Sequence, residues 1–451
     1  MEKFLVELIY SSGFLSVFLL LGFFLRAKIK IFGQLFLPAS VIGGFVLLIL
    51  GPNGLNFLKI PDEWMKIYAL LPGILLVPVV ASVPLGLNLN SGLKSSKNVL
   101  PFAFIMLAVA MMQFAIGFST QFIFNHYDFY ETFGWELGIG FVGGHGTAGL
   151  LGSMLKQANL PYWELAQGVG VTMATFGLIG GILLGMVLIN IASRKKYTQI
   201  LNQPADIPND IKIGYTKDIE AQPSFGRQTT LSASLDSLAF HLAIILGVCA
   251  GAYFILNFIK EHSIPILNQI SIWAYAIVIM FGVWGFMVKF KLDFLVDDKI
   301  KSRIAGTLTE FAVIAAIASL PIKTIIAYLN PILFMVIIGF ITTTLVLVFM
   351  CKFLLNEYWF EHMIAGFGAC TGVFLTGILL LRICDPNFKS PVMANYSLSY
   401  TILSVVYFVF LQLILSTILT KSLFWGFMLC VFSFAAFLIL ALVFAKFKIR
   451  N

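Results

Sequence analysis

Charge is scarce in this chain. Lys, Arg, Asp and Glu together make up 11% of its 451 residues, where a soluble domain carries roughly 25%. That deficit excludes an ordinary soluble protein. The formal net charge of +8 does not argue for a nucleic-acid partner either. The cations fall in short clusters between apolar runs, and no basic face with interleaved aromatics is present. Cysteine is sparse as well. Cys249, Cys351, Cys370, Cys384 and Cys430 are scattered, mostly within apolar runs, which fits neither a disulfide framework nor a cysteine metal site. No HExxH occurs, and no second histidine or acid lies at ligand spacing from His145, so a zinc centre is not expected. The opening "MEKFLVELIYSSG" lacks a strongly basic leader and a small-residue cleavage site, so the first segment reads as a membrane helix rather than a signal peptide.

What the chain has is apolar sequence. Hydrophobic residues account for 59%, and the mean hydropathy is +0.96. Uninterrupted runs of about 20 residues predict a polytopic all-α membrane protein. Spans are expected at about 4–25, 35–51, 64–87, 99–124 and 164–192, then at 236–259, 268–288, 304–322, 331–355 and 393–419. One further run, 422–445, follows. The only long polar stretch, 193–235, divides two similar halves. The organisation expected is therefore a first repeat over 1–192, a cytoplasmic linker over 193–235, a second repeat over 236–419, and an extra helix with a basic tail over 420–451.

Lysine and arginine placement sets the orientation. With the linker in the cytoplasm, 22 of the 29 cations fall on that side, as the positive-inside bias requires. This puts the N-terminus outside and the C-terminus inside a bacterial cytoplasmic membrane. The count holds only if 137–156 and 360–381 enter the membrane and return on the same side. The first contains "GFVGGHGTAGLLG", Gly140 to Gly152. Its glycines weaken a helix, and a histidine in hydrocarbon is costly. Such a segment is tolerated only where protein buries it or a wet cavity meets it, so it reads as the tip of a re-entrant hairpin. The second contains "GFGACTGVFLTG", Gly366 to Gly377. Each follows the fourth span of its half, and each half has five spans. The second half is thus expected to be inverted, with the tips meeting near the midplane, as in secondary transporters.

Several motifs resemble the glutamate–sodium symporter family. They are "GGHGT" (Gly143 to Thr147), "ATFGLIGG" (Ala174 to Gly181), "MQFAIG" (Met112 to Gly117), "AGFGA" (Ala365 to Ala369) and "LPASVIGG" (Leu37 to Gly44). The resemblance implies two inverted five-helix repeats, two re-entrant hairpins, and symport of glutamate or a similar small carboxylate with sodium. It is related in architecture to the 2-hydroxycarboxylate transporters. No cofactor is implied beyond sodium as coupling ion. The expected partners are the carboxylate, sodium and the lipid bilayer, and a homodimer stays open. Where the family shows a Gly-Ala-Thr-Pro-Thr-type run after "GFG", this chain has "ACTGVFLTG". A carrier of another organic anion, coupled to protons or sodium, is the alternative. An intramembrane hydrolase or a channel is a third reading; Ser153, the nearest serine to His145, has no catalytic motif around it.

The candidate ligand groups follow from the tips. A helix that stops inside the membrane presents unpaired N–H groups at its N-terminus, and these attract a carboxylate. Broken carbonyl ends suit sodium. The candidates are Gly143, Gly144, His145, Gly146 and Thr147 in the first hairpin, and Gly368, Cys370, Thr371, Gly372 and Thr376 in the second. His145 either contacts substrate or orients its hairpin. Glu310 lies about 10 Å in from the charged edge of its span at 1.5 Å per residue, and an intramembrane acid is a functional candidate by default. It can bind a cation, carry a proton or pair with Arg382, or it snorkels to the interface. Arg382 can clamp a carboxylate or belong to the cytoplasmic cation belt. Gln113 and Thr175 either supply polar ligands or join neighbouring helices.

Overall fold

A computed structural model describes residues 2–34, 37–86, 97–200, 213–220, 222, 224–262, 267, 272–355, 357–385 and 389–447. Lys94, the linker positions 201–212, Pro386 and the tail cations Lys448 and Arg450 lie outside the described residues. The described residues form α-helices, with no strand among them. The first half contains α1 (Glu2–Lys28), α2 (Lys30–Gln34), α3 (Ala39–Leu50), α4 (Asp62–Ala81), α5 (Val99–Ile123), α6 (Trp135–Gln157) and α7 (Trp163–Arg194). The second contains α8 (Ser237–Glu261), α9 (Ile272–Lys289), α10 (Asp298–Ala318), α11 (Ile322–Ala327), α12 (Leu329–Leu354), α13 (Trp359–Thr371), α14 (Phe374–Cys384) and α15 (Val392–Thr420). The final helix is α16 (Leu423–Phe447).

Nine of the helices among the described residues are long and apolar enough to cross a membrane, and the protein is a multi-pass all-α membrane protein. Two expected spans differ from this pattern. The apolar run 35–51 becomes α3, which has 12 residues and is about 18 Å long at 1.5 Å per residue. Pro38 takes its N-cap position and Gly51 its C-cap, so part of the run is not helical. The run 304–322 becomes the end of α10, whose first turns carry Asp298, Lys299, Lys301 and Arg303 and lower its hydropathy. That helix begins at Asp297, whose carboxylate accepts from the N–H groups of Lys299 (3.0 Å) and Ile300 (3.1 Å), satisfying donors that come too early for intrahelical bonds.

α5 is the hub. Within its apolar window 78% of residues are buried, so it is hydrophobic nearly all round because most of its surface packs on protein. α6, α12, α15 and α16 all pack on it. The extra helix α16 stacks Phe437 and Phe444 on Phe104 of α5, at 6.1 and 5.5 Å between ring centres. Packing among the other spans is reciprocal. α4 lies on α10, α3 on α10, α9 on α4, α1 on α3, α8 on α9, and α5 on α12. These contacts leave two groups. One holds α1, α3, α4, α8, α9 and α10; the other gathers α6, α7, α13, α14 and α15 around α5 and α12.

Candidate functional site

Both glycine-rich segments break where a helix would otherwise continue. α6 is interrupted at Gly144, with φ 64° and ψ −161°, a backbone region open in practice only to glycine. The chain folds back there. Gly140 and Ala148, on opposite sides of the break, both press on Gly170 of α7, whereas eight residues of straight helix would separate them by about 12 Å. The second break lies between α13 and α14, at Gly372 and Val373. Its arms cross backbone to backbone: a Cβ on Gly368 would lie 2.7 Å from Cα and N of Gly377. The expected hairpins 137–156 and 360–381 thus fall within Trp135–Gln157 and Trp359–Cys384.

Each tip is anchored by the helix that follows it. In the first, His145 Nε2 lies 3.0 Å from Thr175 Oγ1. The Thr175 hydroxyl donates to Val171 O at 2.9 Å, so its oxygen is left to accept from Nε2–H. In that tautomer a neutral ring keeps Nδ1 as an acceptor. In the second tip, Phe374 stacks on Tyr396 and meets Tyr400, each at 4.9 Å between ring centres. Tyr396 also donates to Phe374 O at 2.8 Å.

The tips touch. A Cβ on Gly144 would stand 2.6 Å from Val373 Cγ1 and 3.3 Å from Gly372 O. Beside this contact lies a cavity of about 340 Å³. The tips wall it with Gly143 to Thr147 and with Gly372, Val373 and Leu375. α7 and α15 add to that side, including Tyr400, Ser404 and Tyr407. Facing them are Ser40 of α3, the end of α4, and Thr309 and Glu310 of α10. The site therefore sits between the two helix groups.

Of the residues marked in the sequence, Gly143, Gly144, His145, Gly146, Thr147, Gly372 and Glu310 line this cavity. Thr175 stands one contact back, through His145. Gly368 serves the crossing of the arms. Cys370 and Thr371 are fully buried behind the tip. The Cys370 carbonyl accepts from Gln113 Nε2 at 2.8 Å, and the same nitrogen donates to Thr343 Oγ1 at 2.8 Å. Gln113 thus ties α5 to α12 and to the second hairpin. Thr371 donates to Phe367 O at 2.8 Å and packs against Gly181. The partner of Thr147 across the two halves is Thr376. Thr147 donates to Gly143 O at 3.1 Å, while Thr376 Oγ1 accepts from Val373 N at 3.4 Å. Each hydroxyl closes the first turn after its break.

Glu310 Oε2 is buried with no hydrogen-bond partner among the described residues. Glu310 and Arg26 of α1 attract each other electrostatically. Arg382 ends α14, half-buried, and does not line the cavity. Among the described residues no group of three His, Cys, Asp or Glu is placed to hold a metal ion.

Two acids were missed. Glu136 and Glu361 stand in the first turns of the hairpins, both fully buried. Glu136 accepts from Tyr130 OH (2.9 Å) and Gly134 N (2.7 Å); Glu361 accepts from Gln199 N (2.7 Å). Acids there suit the positive end of each helix. The signal was present in "WEL" and "WFE", an acid just after the tryptophan that opens a glycine-rich apolar run.

A family model described as sodium/glutamate symporter matches residues 6–379. A sodium/glutamate symporter of Haemophilus influenzae is 26% identical over 236 residues, which cover 52% of this chain and 54% of that protein. The chain thus spans about half the length of the relative it matches.

Proposed function

The chain belongs to the sodium/glutamate symporter family, and on that premise we propose that it carries glutamate with sodium across the membrane, binding glutamate in the cavity between the hairpin tips. One observation carries the reading: the two tips are in contact and wall the same cavity of about 340 Å³. The first turns after Gly144 and Val373 offer N–H groups that precede any intrahelical acceptor. Two such helix starts converging on one cavity suit a dicarboxylate. The Thr147 and Thr376 hydroxyls and the carbonyls at the broken ends of the first arms offer oxygen to sodium.

Transport then follows from where the cavity lies. One wall belongs to the hairpins with α7 and α15, and the other to α3, α4 and α10. Movement of one group past the other would carry the occupied tips from one side of the membrane to the other, with the repeats inverted. The reciprocal packing of α3 on α10 and α9 on α4 supports the two-repeat plan. The cation asymmetry supports an outside N-terminus and an inside C-terminus.

Reconstitution in liposomes tests the proposal. An inward sodium gradient should drive accumulation of labelled glutamate, and unlabelled glutamate inside should accelerate entry by counterflow. Uptake that ignores sodium, or entry without counterflow, would contradict it.

A further inference from the structure

We infer that Glu310 is the counter-charge for the ammonium group of the substrate, and so the residue that selects an amino dicarboxylate over a dicarboxylate lacking the amine. The inference rests on the symporter reading of the same cavity. The cavity is lined by one carboxylate and by no lysine or arginine among the described residues. His145 already engages Thr175 through one ring nitrogen. A plain dicarboxylate would bring two negative charges beside Glu310, and among the described residues no lysine or arginine on the cavity wall would meet them; like charges at this range repel. An amino dicarboxylate brings its own cation.

The geometry puts that cation within reach of Glu310. Its helix runs alongside the first tip, where a Cβ on Gly146 would lie 3.8 Å from Thr309 Cγ2. Glu310 follows Thr309, lines the cavity, and keeps Oε2 without a hydrogen-bond partner among the described residues. A substrate whose carboxylates meet the helix starts at the tips therefore turns its amine toward α10. Arg26 acts on Glu310 from α1 and does not line the cavity, so it leaves the cavity face of the carboxylate to the ligand.

The test uses the full chain in liposomes under a sodium gradient, with labelled glutamate and labelled glutarate, which keeps both carboxylates and lacks the amine. Wild type should favour glutamate by about tenfold or more, the scale of one charge-assisted hydrogen bond. In Glu310→Gln that preference should fall toward unity, mainly through weaker glutamate affinity. Glu310→Asp should restore part of it. The wild-type comparison stands even if the glutamine variant does not fold. Equal handling of the two ligands by wild type would overturn the inference. A Glu310→Gln variant that loses both ligands equally would also overturn it, since that is what a partner of Arg26 alone would do. Absence of any glutamate uptake by wild type would instead overturn the symporter reading, and the inference with it.

Discussion

Gly144→Ala places one methyl group where the two hairpins meet. Two costs follow. Alanine at φ 64° and ψ −161° carries backbone strain of about 1–3 kcal/mol. Its Cβ also falls 2.6 Å from Val373 Cγ1, a distance that van der Waals contact does not allow. Whole-protein stability is about 5–15 kcal/mol, so the variant should fold. The strain is felt most in the state with the tips together, and it weakens substrate binding by about 5- to 150-fold if expressed there in full. Adding Val373→Ala removes the methyl that clashes and leaves the strained φ. The double variant should therefore recover part of the loss and not all of it. The measurements are the KM and maximal rate of sodium-driven uptake, beside the fraction of monodisperse protein in detergent. A folded Gly144→Ala variant with wild-type KM would refute the reasoning, because neither the strain nor the tip contact would then matter to binding.

Other substitutions separate the hairpin from its surroundings. Gly368→Ala sets a Cβ 2.7 Å from the Gly377 backbone, which cannot yield as a side chain can. It should lower thermal stability far more than Gly282→Ala or Gly285→Ala, whose Cβ atoms meet nothing within 4 Å; similar losses at all three would contradict the crossing of the arms. At the start of α10, Asp297→Ala should cost about 0.5–2 kcal/mol at neutral pH, the worth of an N-cap. Burial pushes the Asp297 carboxyl up, but hydrogen bonds from Arg227, Ile300 and Lys299 outweigh it and hold it below its ordinary value. Its contribution is therefore complete above the ordinary carboxylate range and lost as pH falls through the lowered folded value. Melting curves of wild type and variant should converge in acid, and a gap that widens there would reverse the assignment.

The hairpins were legible because their sequence conflicts with their setting. Glycines and a histidine in a bilayer-length apolar run leave few structures that satisfy the backbone. Gly144, where α6 breaks, lies inside the expected tip. The finer register was not legible. Thr371 packs behind the tip against Gly181, whereas Thr147 and Thr376 each stand three residues past a break, at Gly144 and at Val373. Just past the second break, Phe374 stacks on Tyr396 and meets Tyr400 at a tilt, a tertiary contact that spacing does not reveal. The same limit hid Ser40, Tyr400 and Ser404. Each lies in a predominantly apolar helix, and hydropathy does not tell a lipid face from a cavity face. Glu310 stood out because an acid inside an apolar run needs a reason wherever it faces. Hydropathy overstated α3, because it does not show that Pro38 stops the helix short of the full run.

A structure of the protein with glutamate and sodium bound tests the shared site most directly. The account predicts ligand density in the cavity beside Gly144 and Val373. One carboxylate should meet the first turn after Gly144, the other the N–H groups of Phe374 and Leu375, and the amine should face Glu310. Density bound to one hairpin alone, or to a site away from both tips, would contradict it.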